Sequence, residues 1–145
     1  MEIRKSFPDK KEIRKKHLAI RNAMSEPEKE EKSRKICEKL INSNWYTITD
    51  WIFGYYPLGK EADCLDFLEK ALHDGKHVAL PRTGAGCTME FYEITSLTQT
   101  AEGAFHVMEP TTACHCINPM DLSNQQITVL VPGVVFDLAG SRYGY

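Results

Sequence analysis

The stretch WIFGYYPLGKEADCLDFLEKALHDGKHVALPR, residues 51–82, decides the fold. It opens with Trp51 to Tyr56, a run of aromatic and branched residues suited to a strand. Pro57 closes that run, and the loop Leu58-Gly59-Lys60-Glu61 follows. A helix is expected from Asp63 to about Asp74, with Leu65, Leu68 and Leu72 on its inward side and Gly75 placed as the residue that stops it. His77 to Leu80 then reads as a second short strand running into Pro81-Arg82. Strand, helix and strand at this spacing form a crossover unit, whose two strands lie parallel in one sheet. The chain is therefore an α/β protein.

Toward the N-terminus the spacing predicts two helices. The first starts at Asp9, a good N-cap after Pro8, and runs to about Met24. Ile13, His17, Ile20 and Met24 recur at helical spacing and form its core-facing stripe. Lys10, Arg14 and Arg21 fall on another face, and Lys10 and Arg14, one turn apart, can converge on a single anion. Ser25-Glu26-Pro27-Glu28 reads as a capping box that opens a second helix to about Asn42, with Ile36, Cys37, Leu40 and Ile41 as its buried side. The rest of its surface is densely charged, as a solvated face is.

Toward the C-terminus, Met89 to Ile94 is another short strand, and residues 95–126 are polar and irregular, broken by Pro110 and Pro119. Ile127-Thr128-Val129-Leu130-Val131 is a continuous apolar run of the kind expected for a central strand buried on both faces. It leads into Pro132-Gly133 and the segment VVFDLAGSRYGY.

The 145 residues suit one domain, and 42% apolar with 26% charged residues is ordinary globular composition. Disorder, collagen and coiled coil are excluded as descriptions of the chain. No apolar run reaches the roughly 18 residues of a membrane-spanning helix, and the N-terminus shows no apolar core of a secretory signal. No contact with a membrane is expected. The net charge of −2 is uneven: residues 1–24 carry eight Lys/Arg against three acids. A basic arm on an acidic body suits phosphate, nucleic acid or another anionic surface. The five cysteines, Cys37, Cys64, Cys87, Cys114 and Cys116, are odd in number and scattered, which fits free thiols in a reducing, cytoplasmic setting. Cys114-His115-Cys116 has one residue between its cysteines where structural zinc sites usually have two, and no second ligand pair accompanies it.

In an open α/β sheet, ligands bind beyond the carboxyl ends of the strands. Pro57 to Glu61, Pro81-Arg82 and Pro132 to Tyr145 lie at such ends. The last contains two glycines with Arg142 between them: glycine lets backbone N–H groups approach phosphate oxygens, and the guanidinium adds a forked donor. Each of these segments also has a plainer reading, as a surface turn, a solvated charge or a strand-end ion pair. Tyr55 and Tyr56 alternate across the strand, so at least one of them packs in the core.

The order of these segments resembles the 5-formyltetrahydrofolate cyclo-ligase family, also called 5,10-methenyltetrahydrofolate synthetase. The resemblance spans most of the chain: KKEIRKKHLAIRNAMS with Lys10 and Arg14, then FGYYPLGKEADC, VALPR, the pair Glu109-Pro110, and PGVVFDLAGSRYGY. It implies a three-layer α/β/α sandwich with a mostly parallel central sheet. It also implies conversion of 5-formyltetrahydrofolate to 5,10-methenyltetrahydrofolate with ATP and Mg²⁺, through a phosphorylated formyl group, in a cytoplasmic and monomeric protein. By the same resemblance Lys10, Arg14, Arg142, Gly144 and Tyr145 contact ATP, Tyr56 and Glu61 hold the folate, and Arg82 contacts phosphate or substrate. The catalytic group and the metal ligands are not assigned.

The family's final motif continues through further glycines and more sheet and helix where this sequence stops at Tyr145. Residues 1–145 are thus expected to form one cyclo-ligase-like domain that lacks its C-terminal part, and a polypeptide ending there is expected to turn over negligibly. The alternative is a folate- or nucleotide-binding domain without catalysis. A nucleic-acid-binding domain is a third reading, but beyond its basic helix the chain shows no RNA motif and no basic face interleaved with aromatics; the expected partners are folate and ATP, without nucleic acid.

Overall fold

A computed structural model describes residues 9–144. The helices are α1 (Lys10–Asn22), α2 (Glu26–Ile41), α3 (Asn44–Ile48) and α4 (Leu65–His73). The strands are β1 (Trp51–Phe53), β2 (His77–Thr83), β3 (Met89–Ile94), β4 (Thr100–Glu102), β5 (Met108–Pro110), β6 (His115–Ile117), β7 (Ile127–Val129), β8 (Val135–Phe136) and β9 (Arg142–Tyr143). The main sheet has the order β6-β3-β2-β1-β7. β1 lies parallel to both β2 and β7, so the crossover unit read from residues 51–82 is present. β3 and β6 run antiparallel, which makes the sheet mixed. β4–β5 and β8–β9 are separate hairpins.

Side chains alternate across the sheet, as the pleat requires. Ile52, Val78, Leu80 and Ile94 point to one face, where Phe67, Leu68 and Ala71 of α4, Cys37 of α2 and Tyr46 of α3 cover them. Trp51, Phe53 and Ala79 point to the other, with Leu122 from the short 3-10 turn Pro119–Leu122. There Phe53 stacks on Phe91 at 4.8 Å and Trp51 on His77 at 4.5 Å between ring centroids.

The helix signals act as their chemistry dictates. Asp9 Oδ1 accepts from Lys11 N at 3.3 Å and Ser25 Oγ from Glu28 N at 3.3 Å. Gly75, at φ +81°, takes the left-handed conformation that ends α4. The end of α4 is tied down through Asp74. Lys70 Nζ and the Tyr46 hydroxyl both donate to its carboxylate, at 2.5 and 2.7 Å. The Lys70 ammonium first, then Tyr46, holds that carboxyl down at about 2.

Three expectations are corrected. The run 127–131 is not a central strand buried on both faces: β7 stops at Val129, pairs with β1 alone among the described residues, and leaves Val129 52% exposed. Its apolar residues face the cavity described below and the sheet edge. The aromatic strand ends at Phe53, because Gly54 and Tyr55 turn out of the sheet; β2 instead extends to Thr83, since antiparallel β3 pairs with it beyond the point where β1 ends. The apolar stripe of α1 is not sunk in the core. No residue of α1 is buried and Ile20 is 59% exposed, because α1 lies against the β8–β9 hairpin and not on the main sheet. Ile36 of α2 is likewise exposed.

Candidate functional site

The carboxyl edge of β1, β2 and β7 carries the chemistry. After Phe53, Gly54 N donates to Ala79 O at 2.9 Å and the chain then leaves the sheet. An added Cβ on Gly54 would lie 2.9 Å from Leu68 Cδ2, so the backbone passes over α4 where a larger residue crowds it. The loop folds back at Leu58–Glu61: Glu61 N donates to Leu58 O at 3.1 Å, Gly59 sits at φ +57°, and Leu58 N donates to Glu61 Oε2 at 2.8 Å.

Glu61 is thereby 7% exposed, one of few buried charged groups among the described residues. A carboxylate is buried at a cost unless donors face it. Only its Oε2 has one here; Oε1 has no donor among the described residues.

The loop is anchored on α2. Lys29 Nζ donates to Gly59 O at 3.4 Å, Asp63 N donates to Ser33 Oγ at 3.0 Å, and Lys60 pairs with Glu26. Farther along, the Tyr55 hydroxyl donates to Ala62 O at 2.7 Å.

Glu61 lines a cavity of about 500 Å³ together with Leu40, Trp45, Tyr55, Cys64, Leu130 and Phe136. The volume and the mostly apolar lining with one buried carboxylate suit a small organic ligand. Burial, then the neighbouring Cys37, pushes the Cys64 thiol up to about 12. Cys64 is therefore a thiol at neutral pH and no nucleophile. Burial also pushes the Tyr55 hydroxyl up, so it remains protonated and donates to the Ala62 carbonyl.

On the β7 side of this cavity stands the β8–β9 hairpin. Asp137 Oδ1 accepts from Ala139 N at 2.9 Å and Ser141 N at 2.8 Å, and Gly140 turns at φ +85°. The Ser141 bonds, with those of Ala139 and Gly140, lower the Asp137 carboxyl below its ordinary range. Its acidity is spent on turn geometry. Arg142 Nη1 donates to Pro132 O at 2.8 Å while the side chain remains exposed. A Cβ on Gly133 would fall 2.7 Å from Phe136 Cζ, and one on Gly144 2.9 Å from Arg142 Nη1. Both positions admit only glycine without a shift.

α1 packs against β8 of this hairpin. Arg14 Nε of this helix is buried with no hydrogen-bond partner among the described residues, and Lys10 is exposed one turn earlier. The fold thus brings α1 to the same hairpin that carries Arg142 and Gly144. An orphaned guanidinium nitrogen on a helix that packs against this hairpin has the chemistry to meet an anion such as a polyphosphate.

The remaining sequence candidates divide. Tyr145 lies outside the described residues. Tyr56 is half-buried and packs against the core cluster under α4, while its neighbour Tyr55 lines the cavity. The alternation that left the two tyrosines equivalent in the sequence is resolved by the early end of β1. Arg82 lines a second, smaller cavity at the end of β2. The basic N-terminal helix and the sheet-end loops gave no sign of Trp45, Asp137 or the burial of Glu109. Among the described residues no group of three or more His, Cys, Asp or Glu is placed to hold a metal ion. No helix among them is long and apolar enough to cross a membrane.

A family model described as the 5-formyltetrahydrofolate cyclo-ligase family matches residues 6–145. A protein of Caenorhabditis elegans named as a probable 5-formyltetrahydrofolate cyclo-ligase is 25% identical over 145 residues, covering 94% of this chain and 68% of that protein. The solution structure of a 5,10-methenyltetrahydrofolate synthetase from Aquifex aeolicus superposes with a TM-score of 0.81 at 32% identity, covering 94% of this chain and 66% of that one. A synthetase structure from Mycoplasma pneumoniae, with a TM-score of 0.71 at 21% identity, shows the same fold over 95% of this chain and 72% of that one. The chain spans about two thirds of the length of these relatives.

Proposed function

The chain belongs to the 5-formyltetrahydrofolate cyclo-ligase family, and from that premise we propose that it closes 5-formyltetrahydrofolate to 5,10-methenyltetrahydrofolate with hydrolysis of ATP to ADP and phosphate. The formyl oxygen takes the γ-phosphoryl group. N10 of the folate then attacks the activated formyl carbon, the carbon–oxygen bond breaks, and phosphate leaves with that oxygen while N10 loses its proton. Transfers of this kind need positioning and charge neutralisation more than a covalent protein group. That suits a site whose one cysteine is held as a neutral thiol.

The observation that carries the reading is the Glu61 carboxylate, buried at the wall of an apolar cavity with one oxygen left without a donor. It accepts N–H groups of the pterin or orients the reacting formamide. Tyr56 holds the folate by family resemblance, and Tyr55 shapes the cavity wall. On the nucleotide side, Arg14, Lys10 and Arg142 supply cationic donors, and Gly144 lets the backbone approach; Tyr145 belongs to the same set by resemblance. ATP, when bound, supplies the phosphoryl group. Mg²⁺, when bound with ATP, would neutralise phosphate charge, held largely by the phosphates themselves. Incubation with 5-formyltetrahydrofolate, ATP and Mg²⁺ tests the reading through the absorbance of the methenyl product. ATP-dependent product supports it. Folate binding without product makes the chain a binding domain, and binding of neither ligand overturns it.

The two faces of α1 give a sharper check. Loss of one charge-assisted phosphate contact costs about 1.5–3 kcal/mol. Lys10→Ala therefore weakens ATP by that amount in a direct titration, whereas Lys11→Ala, whose side chain leaves on another face, changes it little. Equal losses would mean a diffuse basic surface in place of a site.

A further inference from the structure

Arg82 is half-buried at the end of β2, one strand over from Glu61 on the same edge of the sheet. It has no hydrogen bond and no ion pair among the described residues; its guanidinium lies 5.9 Å from the centre of the Tyr92 ring. Three carboxylates lie near it in the fold, and each is engaged elsewhere. Glu90, opposite Arg82 in the β2–β3 register, accepts from the Tyr92 hydroxyl at 3.1 Å. Glu102 pairs with the His106 imidazole. Glu109, 8% exposed, accepts from Thr83 N at 3.2 Å, and its other oxygen lies where a Cβ on Gly103 would come within 2.2 Å. Glu109 thus ties the β4–β5 hairpin to the end of β2 and lines a cavity of about 240 Å³ together with Arg82, Glu102, Gly103, Thr111 and Thr112. The cavity is too small for a whole pteridine with its side chain, since pockets for molecules of that size run from about 300 Å³ upward. It suits the end of one.

We propose that this cavity seats the anionic tail of the folate, with the Arg82 guanidinium taking a glutamate carboxylate of that tail in a forked pair and the Thr111 and Thr112 hydroxyls at its rim. The proposal rests on the folate reading above. An unpaired arginine beside an aromatic ring and threonine hydroxyls is suited to a planar carboxylate, which guanidinium matches with two parallel bonds. A nucleotide phosphate shares that chemistry, but the cationic groups of α1 and the β8–β9 hairpin stand at the β7 end of the sheet, and β1 separates β7 from β2.

The test titrates the wild-type chain, Arg82→Ala and Arg82→Lys with 5-formyltetrahydrofolate, with 5-formyltetrahydropterin that lacks the p-aminobenzoylglutamate tail, and with ATP. Arg82→Ala is expected to weaken 5-formyltetrahydrofolate by about 10- to 100-fold, the worth of one charge-assisted contact. It should leave the tailless pterin and ATP unchanged, and Arg82→Lys should recover part of the loss. Equal weakening of the tailed and tailless compounds, or none, overturns the proposal; weakening of ATP alone assigns Arg82 to the nucleotide and overturns it too. A separate titration of p-aminobenzoyl-glutamate, followed at the Thr111 and Thr112 amides, keeps the two readings apart. Tail binding that requires Arg82, in a chain that forms no methenyl product, removes the cyclo-ligase reading and leaves the tail site standing. Product formation with no Arg82-dependent tail binding does the reverse.

Discussion

Replacing Glu61 by glutamine lowers the affinity for 5-formyltetrahydrofolate by at least about 100-fold while ATP binding stays unchanged; two charge-assisted hydrogen bonds at about 1.5–3 kcal/mol each set that scale. The substitution preserves shape. The single amide oxygen can still accept from Leu58 N, the bond that Oε2 makes now at 2.8 Å, so the loop keeps its turn. The group left facing the cavity is then an NH₂, a donor set against the donors of the ligand. A buried donor with no acceptor also loses its own hydration. Titration calorimetry with each ligand separately reads both affinities, and thermal unfolding confirms that the loop survives. An unchanged folate affinity in Glu61→Gln would remove Glu61 from the site and leave its burial without a function.

Phe67→Ala destabilises the domain by about 3–5 kcal/mol, the range for truncating a fully buried aromatic residue. Phe67 is 0% exposed and is the largest side chain at that depth. It lies between the sheet, where Ile52 and Val78 pack beneath α4, and the Tyr46 ring, 5.5 Å away and tilted by 56°. The cavity left by alanine strips contacts from three elements at once and loosens the ring whose hydroxyl ties α3 to Asp74. α4 begins directly after Cys64, which lines the ligand cavity, so the loss reaches the site through the start of that helix. Urea denaturation of the two proteins gives the difference. Phe67→Leu, which refills most of the space, recovers the larger part of it. A loss under about 1 kcal/mol for Phe67→Ala would mean that the core collapses around the gap far more freely than the measured large-to-small range allows.

What could be read in the sequence depended on how far each signal acts along the chain. Asp9, Ser25 and Gly75 work within one turn of themselves, and all three act where the sequence places them. The crossover from β1 through α4 to β2 was legible because apolar spacing changed period twice in 32 residues with stop signals between. β4, β5 and β6 were not legible. Each is three residues long, too short to show alternation, and long-range pairing alone creates them.

The position of β7 in the sheet failed for a related reason. A continuous apolar run does not say whether both of its sides meet strands, or one side meets a strand and the other a cavity. Among the candidate residues, Glu61 and Arg142 stood out in their segments by charge and by the glycines near them. The choice between Tyr55 and Tyr56 turned on a strand ending three residues earlier than its composition suggested. The Glu109-Pro110 pair stood out in the sequence without a role, because its partner groups, Thr83 N and Gly103, come from elements that the sequence does not visibly join.

The anchoring of the Leu58–Asp63 loop on α2 has a consequence in time. The loop's ties beyond its own turn reach Lys29, Ser33 and Glu26, some thirty residues earlier, and the Cys37 thiol donates to Asp63 O at 3.6 Å. α2 is largely exposed and buries only Ser33 and Cys37, whereas the sheet beneath it is fully enclosed at Ile52 and Val78. Elements with few buried contacts open at lower free energy than the core does. When α2 lifts away, Glu61 loses its enclosure while β1, β2 and α4 stay folded. The site therefore has a shorter lifetime than the domain. In hydrogen exchange the amides of Leu58 and Asp63 open in step with α2 and well before those of Ile52 and Val78.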